Sequence, residues 1–126
     1  MIENGTWVLW ERDGYSVLLE IDQYTGFLYF WSEESGIASH LWLFNQPGKY
    51  GEDKAPQMPA DHINQDAYFI PQSNAEVSVQ ECRQRPGFEV LVKGERIGFL
   101  PRSGRGTLIF VSKSCDLAMT ILPKVN

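Results

Sequence analysis

Tyr15-Ser16-Val17-Leu18-Leu19-Glu20-Ile21-Asp22 is the stretch on which the fold class turns. Tyr15, Val17, Leu19 and Ile21 take alternate positions, with Ser16, Leu18, Glu20 and Asp22 between them. Successive side chains of an extended strand point to opposite faces, so this segment presents one clearly apolar face. On its amino-terminal side, Thr6-Trp7-Val8-Leu9-Trp10-Glu11 is β-branched and aromatic, and Arg12-Asp13-Gly14 reads as a hairpin turn. On the other side, Asp22 to Gly26 forms a second turn and leads into Phe27-Leu28-Tyr29-Phe30-Trp31. That run is apolar on both faces, which suits a central strand covered twice or a strand with one face turned to a partner. Ser32-Glu33-Glu34-Ser35-Gly36 is a third turn, and Ile37 to Phe44 a fourth strand. Four strands joined by three short turns predict an antiparallel meander.

Asn45 to Asp66 breaks the rhythm. Pro47, Gly48, Gly51, Pro56 and Pro59 fall here among several charges, so the segment reads as a long irregular connection. Pro59 to Asn64 has the composition of one helical turn with proline at its start. Strand patterns then return over Tyr68–Ile70, Glu76–Cys82, Phe88–Val92, Arg96–Leu100, Thr107–Val111 and Asp116–Leu122, with Lys93-Gly94-Glu95 as a hairpin signal. No segment sustains a 3.6-residue period. The expected fold class is therefore all-β and mainly antiparallel: a β-sandwich or small barrel of about ten short strands. One β domain over residues 1–126 is expected, with one long loop that has room for a short helix.

The composition suits such a domain. The chain is 43% hydrophobic and 21% charged, which argues against wholesale disorder, and its 13% aromatic content supplies a core. No apolar run reaches the roughly 20 residues of a membrane helix. Met1 to Gly5 lacks the basic start and apolar stretch of a secretory signal, which predicts a cytoplasmic address. In a reducing compartment Cys82 and Cys115 are expected as free, buried thiols, a cross-strand disulfide being the alternative.

Net charge is −5, which disfavours unassisted binding to nucleic-acid phosphates. Residues 1–66 carry eleven acids against three bases, a balance of −8; residues 67–126 carry five acids against eight bases, a balance of +3. The bland explanation is that the two halves solvate different faces. The sharper one is an acidic face that steers a basic partner.

Chemical motifs are sparse. His40 and His62 are the only histidines, and no HxH, HxxxH or HExxH spacing occurs, so a site built from His40, Asp61, His62 and Asp66 has only residue type behind it. On strict alternation His40 shares a face with Ala38, Trp42 and Phe44. Neither cysteine has a nucleophile-type flank, and GxSxG, GxxxxGK[ST] and GxGxxG are all missing. No metal, cofactor or catalytic residue is predicted. Arg96, Arg102 and Arg105, close to Gly98, Gly104 and Gly106, form an anion-binding candidate against the simpler reading of a turn with solvated arginines.

Eleven of the sixteen aromatic residues lie in residues 1–50. Most must form the core, with the rest available as an interaction patch. Three classes of function follow. The first is a non-enzymatic protein-binding domain whose acidic, aromatic surface docks a basic protein; bacterial immunity proteins, which neutralise toxic nucleases, share this size and charge. Trp31 and Trp42 are its expected anchors, because interface hot spots favour Trp, and Glu33, Glu34, Glu52 and Asp53 its steering charges. The second is a barrel or sandwich with an aromatic pocket for a small ligand. The third is an enzyme gathering Asp61, His62 and Arg102 or Arg105 from loops.

Overall fold

A computed structural model describes residues 2–46 and 57–111. β1 (Gly5–Arg12) and β2 (Tyr15–Ile21) meet at a two-residue turn, Asp13-Gly14, whose φ values are +53° and +82°. Positive φ at both positions is the turn whose twist matches the flanking strands, and it favours Gly at the second position. Lys93-Gly94 repeats the device, with φ of +54° and +80°. Between β2 and β3 (Thr25–Ser32) the Asp22 carboxylate accepts hydrogen bonds from the Tyr24 and Thr25 N–H groups at 2.7 and 2.8 Å, replacing strand pairing with a side-chain cap. Ser32 does the same before β4 (Gly36–Asn45), its Oγ accepting from the Ser35 N–H at 3.1 Å.

The four strands form the expected meander, and a fifth, β8 (Gly104–Arg105), pairs parallel with Ser39 and His40 at its far edge. The second sheet has the order β5 (Val77–Glu81), β6 (Gly87–Val92), β7 (Glu95–Pro101) and β9 (Thr107–Leu108). Two sheets packed face to face make a sandwich-like all-β fold. Val17, Leu19, Leu28, Phe44, Phe88, Val90 and Leu100 fill the space between them and are fully buried.

The chain between β7 and β9 stitches the sheets together. It leaves the second sheet at Pro101, whose carbonyl accepts a hydrogen bond from the buried Ser39 hydroxyl. It then pairs as β8 with β4, and the Gly106 N–H donates to the His40 carbonyl at 2.8 Å before β9 begins. A Cβ at Gly106 would lie 2.7 Å from the Phe99 carbonyl oxygen and 2.9 Å from Leu41 Cδ1, so only glycine passes through this gap. One end of the sandwich is closed by charge over rings. Arg12 donates to Glu81 at 2.6 Å, Arg102 lies 3.8 Å from the same carboxylate, and the two guanidinium groups sit over Trp10 and over Phe30 and Phe88.

Three expectations change. Tyr68–Ile70 is not a strand: Tyr68 stacks on Trp42 and, with Phe69, meets Phe110 edge-on, so the rings plug a corner instead of pairing backbone. Thr107–Val111 is paired only at Thr107–Leu108, after which the chain turns and Val111 bridges Ile63. The helical turn is a single 3₁₀ turn, Ala60–His62, preceded by Pro59. The expected strand at Asp116–Leu122 lies outside the described residues. Among the described residues no helix is long and apolar enough to cross a membrane.

Candidate interaction face

Residues paired directly across neighbouring strands project to the same face. The register of the first sheet therefore sorts its side chains into two sets. The row Trp10, Val17, Phe30 and Ser39, and the row Trp7, Leu19, Leu28 and Leu41, point inward; Trp10 and Phe30 both contact Phe88 of the second sheet, with ring centroids 4.8 and 5.6 Å apart. The opposite face carries three rows: Thr6, Glu20, Phe27 and Trp42; Val8, Leu18, Tyr29, His40 and Arg105; and Glu11, Ser16, Trp31 and Ile37.

Bulges set this arrangement. One residue is left over in β1 at Leu9 and two in β4 at Ala38 and Leu43, where the register shifts. Each extra residue reverses the alternation beyond it. His40 and Trp42 therefore project outward while Phe44 turns into the core, so the face that strict alternation assigns to His40, Trp42 and Phe44 together is split at Leu43.

Among the described residues, the outer face is covered at one end. Trp42 is 6% exposed: Tyr68 lies flat on it at 5.8 Å, and its Nε1 donates to Asn45 Oδ1 at 2.9 Å. The same Asn45 oxygen accepts from the Met58 N–H at 2.8 Å, and Asn45 Nδ2 donates to the Met58 carbonyl at 2.7 Å, which holds the covering segment in place. At the other end Val8 is 56% and Ile37 59% exposed, with Leu18, Tyr29, Trp31 and His40 half-buried around them. With strands about 4.8 Å apart, five strands make this face about 19 Å wide.

Acids surround the open end. Glu11 and Glu20 stand exposed on β1 and β2, Asp13 on the first turn, and Glu33 and Glu34 on the third. The first and third turns are adjacent, because the Glu33 N–H donates to the Gly14 carbonyl at 3.0 Å. None of these five carboxylates has an ion-pair partner among the described residues. Burial, followed by the charges of Glu20 and Asp22, pushes the Tyr29 phenol up to about 12. Burial first and Arg105 second hold His40 below the usual imidazole range.

Of the partner-binding residues expected from sequence, Trp31, Glu33 and Glu34 come together on or beside this open face. Trp42 belongs to the covered end, where its ring is part of the core and is not free to anchor a partner. Glu52 and Asp53 lie outside the described residues. The three arginines are dispersed: Arg96 pairs with Glu89 at 2.8 Å on the second sheet, Arg102 reaches Glu81 and its aromatic neighbours, and Arg105 joins the first sheet beside His40. Cys82 is a half-buried free thiol, and Cys115 lies outside the described residues. Among the described residues no three His, Cys, Asp or Glu side chains gather as metal ligands.

Sequence reasoning missed Val8, Leu18, Tyr29 and Ile37 as members of the face. Alternation places Val8 opposite Trp7 and Tyr29 beside Trp31, so the signal was present, but the bulges that align these residues with Ile37 have no signature in the sequence. Comparison with protein-family models, with curated proteins and with solved structures returns no match, so the reading of this face rests on its own chemistry.

Proposed function

We propose that this chain is a non-enzymatic protein-binding domain that docks a basic protein through the outer face of its first sheet. The observation that carries this reading is the open end of that face: Val8 and Ile37 stand exposed, with Leu18, Tyr29 and Trp31 half-buried on the same face, inside a margin of Glu11, Asp13, Glu20, Glu33 and Glu34. Large rings and aliphatic side chains supply contact area, and the acids supply steering and selection against acidic partners. A partner footprint of about 800 Å² extends past the apolar rows into the acidic margin. A second copy of this chain fits less well, since its own −5 charge would meet the same acids. A nuclease-like toxin is a basic partner of the required kind, which would make the chain an immunity-type inhibitor acting in the cytoplasm.

The test places a photo-cross-linking side chain at Ile37 and, as a control on the other sheet, at Gln80. The expected capture at position 37 is a basic protein, lost in Trp31→Ala and in the Glu33→Lys/Glu34→Lys double variant. Reversal of those two acids slows association about tenfold at low salt, and added salt removes the difference. Capture that is the same at both positions, or that ignores the charge reversal, would overturn the reading.

A further inference from the structure

Among the residues of the strands themselves, charge on the outer face is polarised, while Glu33 and Glu34 lie on the turn between β3 and β4. Glu11 and Glu20 stand on β1 and β2, while His40 and Arg105 stand on β4 and β8 at the opposite side. Their parallel pairing puts the His40 and Arg105 side chains on the same face, with backbones about 4.8 Å apart. The stitch between the sheets delivers Arg105 there: hydrogen bonds from Ser39 to Pro101 and from Gly106 to His40 pin the chain on either side of it. The titratable or charged groups around His40 are Tyr29 from β3, Arg105 from β8, and Tyr68 stacked on Trp42; Glu20 is on β2, a strand beyond Tyr29. Tyr29 and Tyr68 both have raised phenol values and stay neutral in weak acid. No carboxylate among the described residues forms an ion pair with His40 or Arg105.

We propose that His40 and Arg105 form a repelling margin that directs the basic groups of a partner toward β1 and β2, and that protonation of His40 releases the partner. The proposal rests on the docking reading above. Docking removes water from the face, and a second cation beside Arg105 is then costlier than it is in the free protein. Partner and proton therefore oppose each other, and by linkage affinity falls up to tenfold per pH unit below the value at which His40 of the free protein titrates. Burial and Arg105 hold His40 below the usual imidazole range in the free protein, which displaces the release toward acid.

The probe is a synthetic two-stranded hairpin peptide alternating lysine and leucine, which matches a flat apolar face with acidic surroundings. Its binding to the full chain is followed by fluorescence anisotropy between about pH 7.5 and about pH 5, a window that spans the ordinary range of histidine titration. Affinity is expected to fall about tenfold across this window, and His40→Gln to remove most of that fall. Arg105→Glu, which does not depend on His40 folding correctly, is expected to tighten binding about threefold or more at the upper pH. A pH response that survives His40→Gln, or looser binding in Arg105→Glu, overturns the margin while leaving the docking face standing. Absence of probe binding, or binding indifferent to Trp31→Ala and Glu20→Lys, overturns the docking reading and the margin together.

Discussion

Trp31 and Trp42 sit on the same face of the same sheet, on neighbouring strands, and meet opposite fates. Trp42 lies under the Tyr68 ring with its indole N–H satisfied by Asn45, whereas Trp31 lies half-buried beside the exposed Ile37. Residue type, strand propensity and facing direction are shared by the two. The segment held by Asn45 covers one of them and stops short of the other. A large ring on a sheet exterior is thus a core residue or a half-buried surface residue according to what the remote chain does.

The sharpest test of this contrast compares the two truncations. Trp42→Ala should cost about 3–5 kcal/mol, because it opens a cavity in packed surroundings. Trp31→Ala should cost about 1 kcal/mol or less, as substitutions away from the core do. Urea unfolding of both variants measures the difference, and equal losses would mean that the open end is covered after all.

A smaller effect is expected from the residue that holds the cover. Asn45→Ala removes the acceptor for Trp42 Nε1 and the Met58 N–H and the donor to the Met58 carbonyl, for a loss of about 2 kcal/mol. Trp42 fluorescence should shift to the red while Trp31 keeps its environment. If Asn45→Ala were neutral, packing alone would hold the segment.

The smallest effect is a pH dependence at the open end. The Tyr29 phenol is raised to about 12, so the folded state keeps its proton while the unfolded chain releases it near the ordinary tyrosine value of 10.0. The stability this contributes is complete below the unfolded value and is lost as pH rises through the folded one. Thermal unfolding followed from pH 9 upward, with Tyr29→Phe as reference, should show the wild-type protein losing the larger share of its Tm above about pH 10. Parallel curves would mean that Tyr29 is solvated like a free phenol.

Much of this molecule was legible in advance, because short-range rules governed it. The Asp13-Gly14 and Lys93-Gly94 turns, the Asp22 cap and the alternation of Tyr15 to Ile21 depend on neighbours a few residues away. Trp31, Glu33 and Glu34 fall together for the same reason, since a strand end and its turn are contiguous. Trp42 was misplaced because its cover comes from Tyr68, twenty-six positions further along. The arginines near Gly98, Gly104 and Gly106 were grouped by their closeness in sequence, yet the stitch sends Arg105 to one sheet and leaves Arg96 on the other.

Period-two patterning and turn chemistry were enough to establish strands, hairpins and an antiparallel all-β class, since a strand's side chains alternate whatever surrounds it. Which rings stay uncovered depended on three leftover residues, at Leu9, Ala38 and Leu43, and on a crossing at Gly106. Bulges and crossings are chosen by the packing of two sheets against each other, an energy shared among residues far apart in the chain, and no local pattern carries it.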